Sequence, residues 1–227
     1  MTVPNVIILA GGRGTRLPEA ARDVPKALVP VAGKPILEHQ LERLSAAGFS
    51  TVRLALGFRA DQIMAFLRER GYSCDTVVES APLGTGGALR FAAADLPGPH
   101  LVLNGDIIGD FDFPSILTSY VPGHALMVAH WREDTADFGL LDVRDGRIRE
   151  FRARPAVPEP GFINAGCYIL EREHIGRLPD GFSMLEHDLF PVLAREGRLV
   201  LHEHQGEWED LGTEMRLRRT RERLGAS

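Results

Sequence analysis

A glycine-rich loop near the amino terminus contains the first residues that could do chemistry. Residues 11–14 read GGRG and follow the apolar run Val6–Ala10, while Arg16 and Lys26 add positive charge. Glycines allow positive φ and bring backbone N–H groups close to a ligand. Open α/β sheets bind phosphates at such turns, beyond the carboxyl end of a parallel strand. The loop therefore predicts a phosphate site.

The spacing excludes two common phosphate-binding motifs. A P-loop needs Gly-Lys-Ser/Thr after its glycines, and that sequence does not follow here. The dinucleotide fingerprint needs a third glycine where Leu17 stands, and then a helix. Pro18 and Pro25 instead predict an extended loop. Taken alone, the loop is equally compatible with an ordinary turn after a buried strand.

Three later segments carry further candidate residues. Glu79–Leu89, ESAPLGTGGAL, places glycines at the start of a predicted helix. A buried strand beginning at His100 leads into Asp106, at the strand end where α/β sheets bind ligands. Near the carboxyl terminus, residues 207–213 read EWEDLGT. Each segment could instead be a turn or a helix cap without a ligand.

The sequence of the amino-terminal region resembles that of a known family. LAGGRGTRL and PKALVPVAGKPIL, within Leu9–Leu37, resemble the signature of the sugar-1-phosphate nucleotidyltransferases. Enzymes of that family join a nucleoside triphosphate to a sugar 1-phosphate and release pyrophosphate. PLGTGGAL is most similar to the heptose-1-phosphate guanylyltransferases, with the mannose-1-phosphate enzymes close behind. Pro18 departs from the pattern, since the family more often has this proline one place later.

The resemblance implies a set of site residues and a cofactor. Arg16 and Lys26 would be catalytic. Asp106 and Asp210 would hold Mg²⁺, which accepts one or two carboxylates and leaves other positions to water and phosphate. The nucleotide-binding positions would be Leu9, Ala10, Gly11, Gly12, Arg13, Gly14, Thr15, Glu79, Pro82, Gly84, Thr85 and Asn104. The sugar-phosphate-binding positions would be Gly105, Gly139, Arg154, Asn164 and Gly166.

Two positions bear on the choice of substrates. The Glu79 carboxylate can only accept hydrogen bonds, and guanine offers adjacent donors on one edge, so Glu79 favours GTP. Ala153 stands where the family commonly has a glutamate that contacts sugar hydroxyls, and Arg154 stands where it has a lysine. Arg154 could still bind the sugar phosphate. The missing carboxylate predicts a different sugar or another group that supplies the contact.

Alternating strands and helices must position these residues. Helices are predicted at 35–47, 60–70, 84–95, 114–120, 184–195 and 214–224. Strands are predicted at 6–10, 51–57, 74–78, 100–106, 124–131, 138–143, 147–151, 162–170 and 199–204. The early βαβ units predict parallel strands, and the strands from 124 to 151 are expected to be antiparallel.

The resemblance also implies the fold class. It is α/β, a three-layer Rossmann-like nucleotidyltransferase (glycosyltransferase-A-like) fold with a mixed, mainly parallel central sheet. We expect a single domain over residues 1–227. Its nucleotide-binding half would cover about residues 1–110 and its sugar-binding half about 111–227.

Composition fits one such domain. The chain has 227 residues and a net charge of −5, so no general affinity for nucleic acid or an anionic membrane is expected. The amino-terminal apolar run is too short to span a bilayer and lacks the charged flank of a signal peptide. These features predict a cytoplasmic enzyme. The resemblance implies an NTP and a sugar 1-phosphate as its partners, and a homodimer is possible. The arginine-rich helix 214–224 is expected to present a solvated face.

Several alternatives stay open. The enzyme could transfer a uridylyl or another nucleotidyl group, or Ala153 could mark a catalytically silent sensor of sugar nucleotides. A NAD-dependent enzyme would need an acidic residue after the second strand, where residues 57–59 read GFR. His202 and His204 face one side of a strand and could form part of a zinc site, but no third ligand is evident.

Overall fold

The structure is a computed structural model that describes residues 4–14 and 23–225 of the chain. The strands are β1 (Asn5–Leu9), β2 (Pro30–Val31), β3 (Lys34–Pro35), β4 (Val52–Leu56), β5 (Asp75–Val78), β6 (His100–Asn104), β7 (Ile107–Gly109), β8 (Ala125–Arg132), β9 (Leu140–Arg144), β10 (Arg147–Arg152), β11 (Gly161–Leu170), β12 (Leu199–His204) and β13 (Trp208–Asp210). The α-helices are α1 (Ile36–Ala46), α2 (Ala60–Arg70), α3 (Gly84–Ala92), α4 (Phe113–Ser119), α5 (Arg172–Ile175), α6 (Phe190–Arg195) and α7 (Glu214–Gly225). None of the helices in these two ranges is long and apolar enough to cross a membrane.

Nine strands form a central mixed sheet in the order β5-β4-β1-β6-β11-β8-β12-β10-β9. Strands β5, β4, β1 and β6 are mutually parallel, as the βαβ pattern predicted. Only β10 and β11 run against the other strands of this sheet, so the expectation of a mixed, mainly parallel sheet is confirmed. Strand β8 differs from the prediction in part, because it is antiparallel to β11 but parallel to β12.

Helices cover both faces of the sheet and make three layers. In β1, Val6 and Ile8 pack into one buried cluster with residues of α1 and α2. Ile7, between them, points to the opposite face and packs with residues of α3 and α6. A strand covered on both faces must be apolar at every position, which explains why this run shows no alternation. The carboxyl end of β1 is thereby fixed in the middle of the sheet.

Local sequence explains where several elements turn or break. The β9–β10 hairpin turns at Asp145 and Gly146, which have φ of 52° and 69°, as the Asp-Gly pair predicted. The helix expected over 184–195 begins instead with a π-helical turn at Leu185–Leu189 and continues as α6. Pro191 has no N–H to donate to the preceding turn, which accounts for the irregular start.

The second glycine-rich segment packs against another part of the backbone. The N–H groups of Gly86 and Gly87, in the first turn of α3, donate to the Ser183 carbonyl at 2.9 and 3.3 Å. A Cβ atom added to Gly87 would overlap the carbonyl oxygen of Gly181. Gly84 has a φ of +71° and lies against the Ser183 carbonyl in the same way. These glycines therefore let the start of α3 contact residues 181–183 directly.

Gly87→Ala should destabilise the protein, because its methyl group would meet a backbone carbonyl that cannot rotate away. We expect a loss of about 1–3 kcal/mol in the free energy of unfolding, measured by urea denaturation. Gly12→Ala is the matched control, since no described atom lies within 4 Å of its added Cβ. Equal stability of the two variants would contradict this packing role.

Candidate active site

The carboxyl ends of β1 and β6 meet at the first glycine-rich loop. The Gly105 N–H donates to the Leu9 carbonyl at 2.9 Å. A Cβ atom at Gly105 would lie only 2.7 Å from that same oxygen and 3.1 Å from the Ala10 Cα. Gly105 thus lets the two strand ends approach each other. This packing role is additional to the sugar-phosphate contact that was predicted for it. The approach places Asp106 beside the loop that follows β1.

A short two-stranded ladder brings the two predicted metal ligands together. Strand β13 pairs with β7 so that Asp210 lies opposite Ile107, and the Leu211 N–H donates to the Asp106 carbonyl at 2.9 Å. The indole N–H of Trp208 donates to the Ala165 carbonyl at 2.8 Å and anchors β13 on the central sheet. Two aspartates that are 104 positions apart in the sequence therefore become neighbours.

Each aspartate has a cationic partner. Lys26 Nζ forms a salt bridge with Asp106. Arg216 Nη1 donates to Asp210 Oδ2 at 2.7 Å. Burial raises the pKa of Asp210 above its usual range and the Asp106 carboxylate adds to the rise, whereas Arg216 and Lys26 oppose it. The two carboxylates are thus close enough to repel each other, and the two cations offset that repulsion.

The Lys26–Asp106 pair is held by a buried scaffold. Lys26 begins a 3₁₀ turn, Lys26–Leu28, and only 9% of the residue is exposed. The Gln40 side chain, from α1, donates to the carbonyls of Asn104 and Ile107 at 2.8 and 2.9 Å. These bonds fix the backbone on both sides of Asp106. The lysine and the aspartate therefore meet with little freedom.

The aspartate pair suits a hard divalent cation. Mg²⁺ prefers oxygen ligands and is usually bound by one or two carboxylates together with substrate phosphates and water. Asp106 and Asp210 supply two carboxylates whose mutual repulsion a cation would relieve. Within the described ranges, no cluster of three or more His, Cys, Asp or Glu side chains could hold a metal, so the His202–His204 pair lacks a third ligand.

The predicted base-binding residue lies beside the first loop. A Cβ atom on Gly11 would be 3.1 Å from Glu79 Oε1, and a Cβ on Gly57 would overlap that oxygen. The other oxygen, Oε2, accepts the Leu83 N–H at 3.2 Å. Burial raises the pKa of Glu79, while the bond from Leu83 lowers it. The carboxylate thus links the GGRG loop to the PLGTGG segment, of which Pro82 is an exposed member.

Thr85 uses its side chain within the protein. Its hydroxyl donates to Glu186 Oε2 at 3.1 Å and accepts the Leu185 N–H at 2.9 Å. Any contact between Thr85 and a nucleotide would therefore have to share these bonds or use the backbone. The sequence did not predict Glu186 as the partner of Thr85, because Glu186 belongs to the π-helical turn.

The sugar-side candidates converge on the end of β6. Asn164 Oδ1 accepts the Gly166 N–H at 2.9 Å, inside an irregular stretch of β11. Gly166 has a φ of +73°, and a Cβ there would lie 3.1 Å from the side-chain nitrogen of Asn104. The buried Tyr168 hydroxyl accepts a hydrogen bond from Asn104 at 3.4 Å. Sequence reasoning missed Tyr168 because it reads as an ordinary core position of a strand.

Arg154 and Gly139 lie at a second edge of the site. Arg154 Nη2 donates to the Asp137 carbonyl at 3.0 Å, and its side chain is 58% exposed. A Cβ atom at Gly139 would lie 3.0 Å from the Arg152 carbonyl, so this glycine also serves close packing. Arg154 thus contacts the residue that precedes Phe138 and Gly139 in the chain.

Arg216 is the main residue that sequence reasoning missed. The solvated face expected for the last helix is found at Arg218, Arg219 and Arg221, which are exposed. For Arg216 that expectation is wrong, because its side chain is only 11% exposed and bonds to Asp210. Charge along the helix gave no signal for this, since every arginine in the segment looks alike.

The first loop is described only in part. Gly11, Gly12, Arg13 and Gly14 extend from β1, and the Arg13 guanidinium lies 5.4 Å from the centre of the Phe58 ring. The predicted positions Thr15 and Arg16 lie outside the described residues.

Comparison with known sequences gives the family. A model of the nucleotidyl transferase family matches residues 5–225. Mannose-1-phosphate guanyltransferase beta-B of Xenopus laevis is 35% identical over 217 residues. The mannose-1-phosphate guanylyltransferase catalytic subunit beta of Danio rerio is 36% identical over 217 residues. Both alignments cover 91% of this chain, which spans about 60% of the length of these relatives.

Solved structures agree with this result. HddC from Yersinia pseudotuberculosis, complexed with GMP-PN, is 28% identical with a TM-score of 0.87, over 98% of this chain and 100% of that chain. A putative glucose-1-phosphate thymidylyltransferase from Bacillus anthracis shares the fold, at 22% identity and a TM-score of 0.81, over 98% of this chain and 95% of that chain. The chain therefore belongs to the nucleotidyl transferase family.

Proposed function

We propose that this chain transfers a guanylyl group from GTP to a sugar 1-phosphate of manno configuration, mannose or D-glycero-D-manno-heptose, and releases pyrophosphate. The observation that carries the proposal is the aspartate pair, Asp106 and Asp210, with a cation beside each. It lies where β1 and β6 end, in a chain of this family. Guanine is supported by the guanylyltransferase names of the relatives and by the GMP-PN bound to HddC.

The reaction needs positioning and charge more than proton transfer. An oxygen of the sugar phosphate attacks the α-phosphorus of GTP, the bond to the bridging oxygen breaks, and that oxygen leaves with pyrophosphate. Both substrates are polyanions, so the barrier is lowered mainly by fixed positive charge and alignment. This chemistry needs no side-chain nucleophile.

Each group of residues has a role in this proposal. The backbone of Gly11–Gly14 and Arg16 would hold the β- and γ-phosphates, and Lys26 would stabilise charge on the α-phosphate under attack. Mg²⁺ held by Asp106 and Asp210 would neutralise phosphate charge when bound. Glu79 would accept hydrogen bonds from the guanine edge, with Leu9, Ala10, Arg13, Thr15, Pro82, Gly84, Thr85 and Asn104 lining the nucleotide. Gly105, Gly139, Arg154, Asn164 and Gly166 would contact the sugar phosphate.

The proposal treats the chain as a single domain with two halves. Residues 1 to about 110 would bind the nucleotide and the rest the sugar, so the reacting phosphates would meet where β7 pairs with β13. A homodimer and a cytoplasmic location stay predictions.

A substrate screen tests the function directly. Purified protein with Mg²⁺ and each of four NTPs would be tested against a panel of sugar 1-phosphates for pyrophosphate release. We expect GTP with mannose or heptose 1-phosphate to be the preferred pair. Preference for UTP would establish the uridylyl alternative. Tight binding of a sugar nucleotide without turnover would favour the silent sensor that Ala153 allows.

Lys26→Ala should reduce kcat at least about a hundredfold, because removing a preorganised donor in such a site costs about 3 kcal/mol. The matched control is Lys34→Ala, which removes a lysine whose side chain is 47% exposed and paired with Glu42. Pyrophosphate release gives the rates, and circular dichroism checks that both variants fold. A near-normal rate from folded Lys26→Ala would refute the assignment.

Glu79→Gln should lower the preference for GTP over UTP at least about tenfold, because the amide replaces one acceptor oxygen with an NH2 donor that cannot accept a hydrogen bond from guanine. The ratio of kcat/KM for the two nucleotides is the measurement. Glu69→Gln, an exposed change on α2, is the control. An unchanged ratio would show that backbone groups select the base.

A further inference from the structure

Arg216 is fixed at the edge of the proposed transfer site by three separate contacts. Nη1 donates to Asp210 Oδ2 at 2.7 Å, and Nη2 donates to the Asp137 carbonyl at 3.1 Å. The guanidinium carbon lies 3.9 Å from the centre of the Phe138 ring. An arginine stacked on a ring and bonded on two sides has little rotational freedom. Its plane is therefore set before any ligand binds.

Two guanidinium groups meet at one backbone oxygen. Arg154 Nη2 donates to the Asp137 carbonyl at 3.0 Å, and Arg216 Nη2 donates to it at 3.1 Å. The Asp137 carboxylate lies 4.0 Å from Arg154 and 3.8 Å from Arg216. Arg154 is the arginine expected to bind the sugar phosphate, so Arg216 lies next to the same proposed subsite.

Arg216 borders an open cleft. Its charged lining consists of three arginines, Arg132, Arg216 and Arg219, and four acidic residues, Asp134, Asp137, Glu209 and Asp210. A guanidinium has more N–H donors than the two that Arg216 uses for Asp210 and Asp137. Remaining donors on a group that lines a cleft are available to an anion. A phosphate monoester matches them because guanidinium binds phosphate oxygens in a bidentate manner.

The Arg216–Asp210 pair parallels the Lys26–Asp106 pair. Each joins one predicted metal ligand to one cation across the same ladder. A divalent cation held by the two carboxylates would offset part of their negative charge. Lys26 and Arg216 could then interact more strongly with phosphate oxygens without leaving a carboxylate unpaired. Lys26 already has a proposed phosphate partner, and Arg216 has the same electrostatic reason for one.

We propose that Arg216 binds the phosphate of the sugar 1-phosphate, together with Arg154, and so sets the affinity for this substrate. The proposal rests on the proposed function. It also offers a physical account of how the site could manage without the glutamate that Ala153 replaces, since two arginines would hold the substrate by its phosphate.

The test separates sugar-phosphate binding from a merely structural role. Arg216→Gln is compared with Arg218→Gln, which removes the same charge from the side of α7 where the side chain is 80% exposed. We expect Arg216→Gln to raise the KM for mannose 1-phosphate at least about tenfold, as for a lost charged hydrogen bond, and the KM for GTP less than about threefold. Calorimetry should show the same loss of mannose 1-phosphate affinity with Mg²⁺ and a non-hydrolysable GTP analogue present. Arg218→Gln should leave both values unchanged.

Other outcomes overturn the proposal. A folded Arg216→Gln protein with normal mannose 1-phosphate affinity contradicts it, and so does an equal or larger loss of GTP-analogue affinity, which would mean that Arg216 acts only through Asp210. If the glutamine variant does not fold, Arg216→Lys is the second variant. It keeps the positive charge but not the planar guanidinium with its paired N–H donors, and it must still raise the KM for mannose 1-phosphate at least about threefold. A wild-type protein that neither binds nor uses any sugar 1-phosphate would instead refute the proposed function.

Discussion

Two carboxylates held side by side by the β7–β13 ladder are the constraint around which the site is arranged. Burial raises the pKa of Asp210, and the neighbouring Asp106 carboxylate raises it further. Such a pair persists in its charged form only if positive charge lies next to it. Lys26 and Arg216 supply that charge, one for each aspartate. The two cations and two carboxylates balance one another in charge.

The four charged groups come from distant parts of the chain, and the sheet topology brings them together. Asp106 follows β6 in the centre of the sheet, whereas Asp210 belongs to a short strand that reaches back across the molecule. Trp208 ties that strand to Ala165, which lies between the sugar-side residues Asn164 and Gly166. A shift of β13 would therefore move a predicted metal ligand and the Asn164–Gly166 turn at once. This shared anchor gives a structural reason for the proposed nucleotide and sugar halves to act as one site.

The sequence predicted those elements and site residues that local patterns determine. It did not predict those that depend on contacts between distant residues. Helix α2 was predicted over its whole length, because its apolar spacing is regular and Gly71, with a φ of +73°, ends it. The position of Asp106 after a strand was predictable because a local apolar run precedes it. Strand β13 has only three residues, which is too short for a detectable hydrophobic periodicity. Arg216 could not be identified from the sequence, because only its tertiary contacts distinguish it from the exposed arginines around it.

The two glycine-rich segments look alike in sequence but differ in what their backbone can bind. In the second segment, the Gly86 and Gly87 amides at the start of α3 already donate to Ser183, so they are not available to a phosphate. A helix amino terminus attracts anions through such N–H groups, and here a carbonyl occupies them. In the proposed function, phosphate binding would therefore depend on the first segment, and the Leu83 N–H bond to Glu79 would keep the second beside the proposed base site. Glycine content alone could not separate these roles, because glycine serves both close backbone packing and ligand approach.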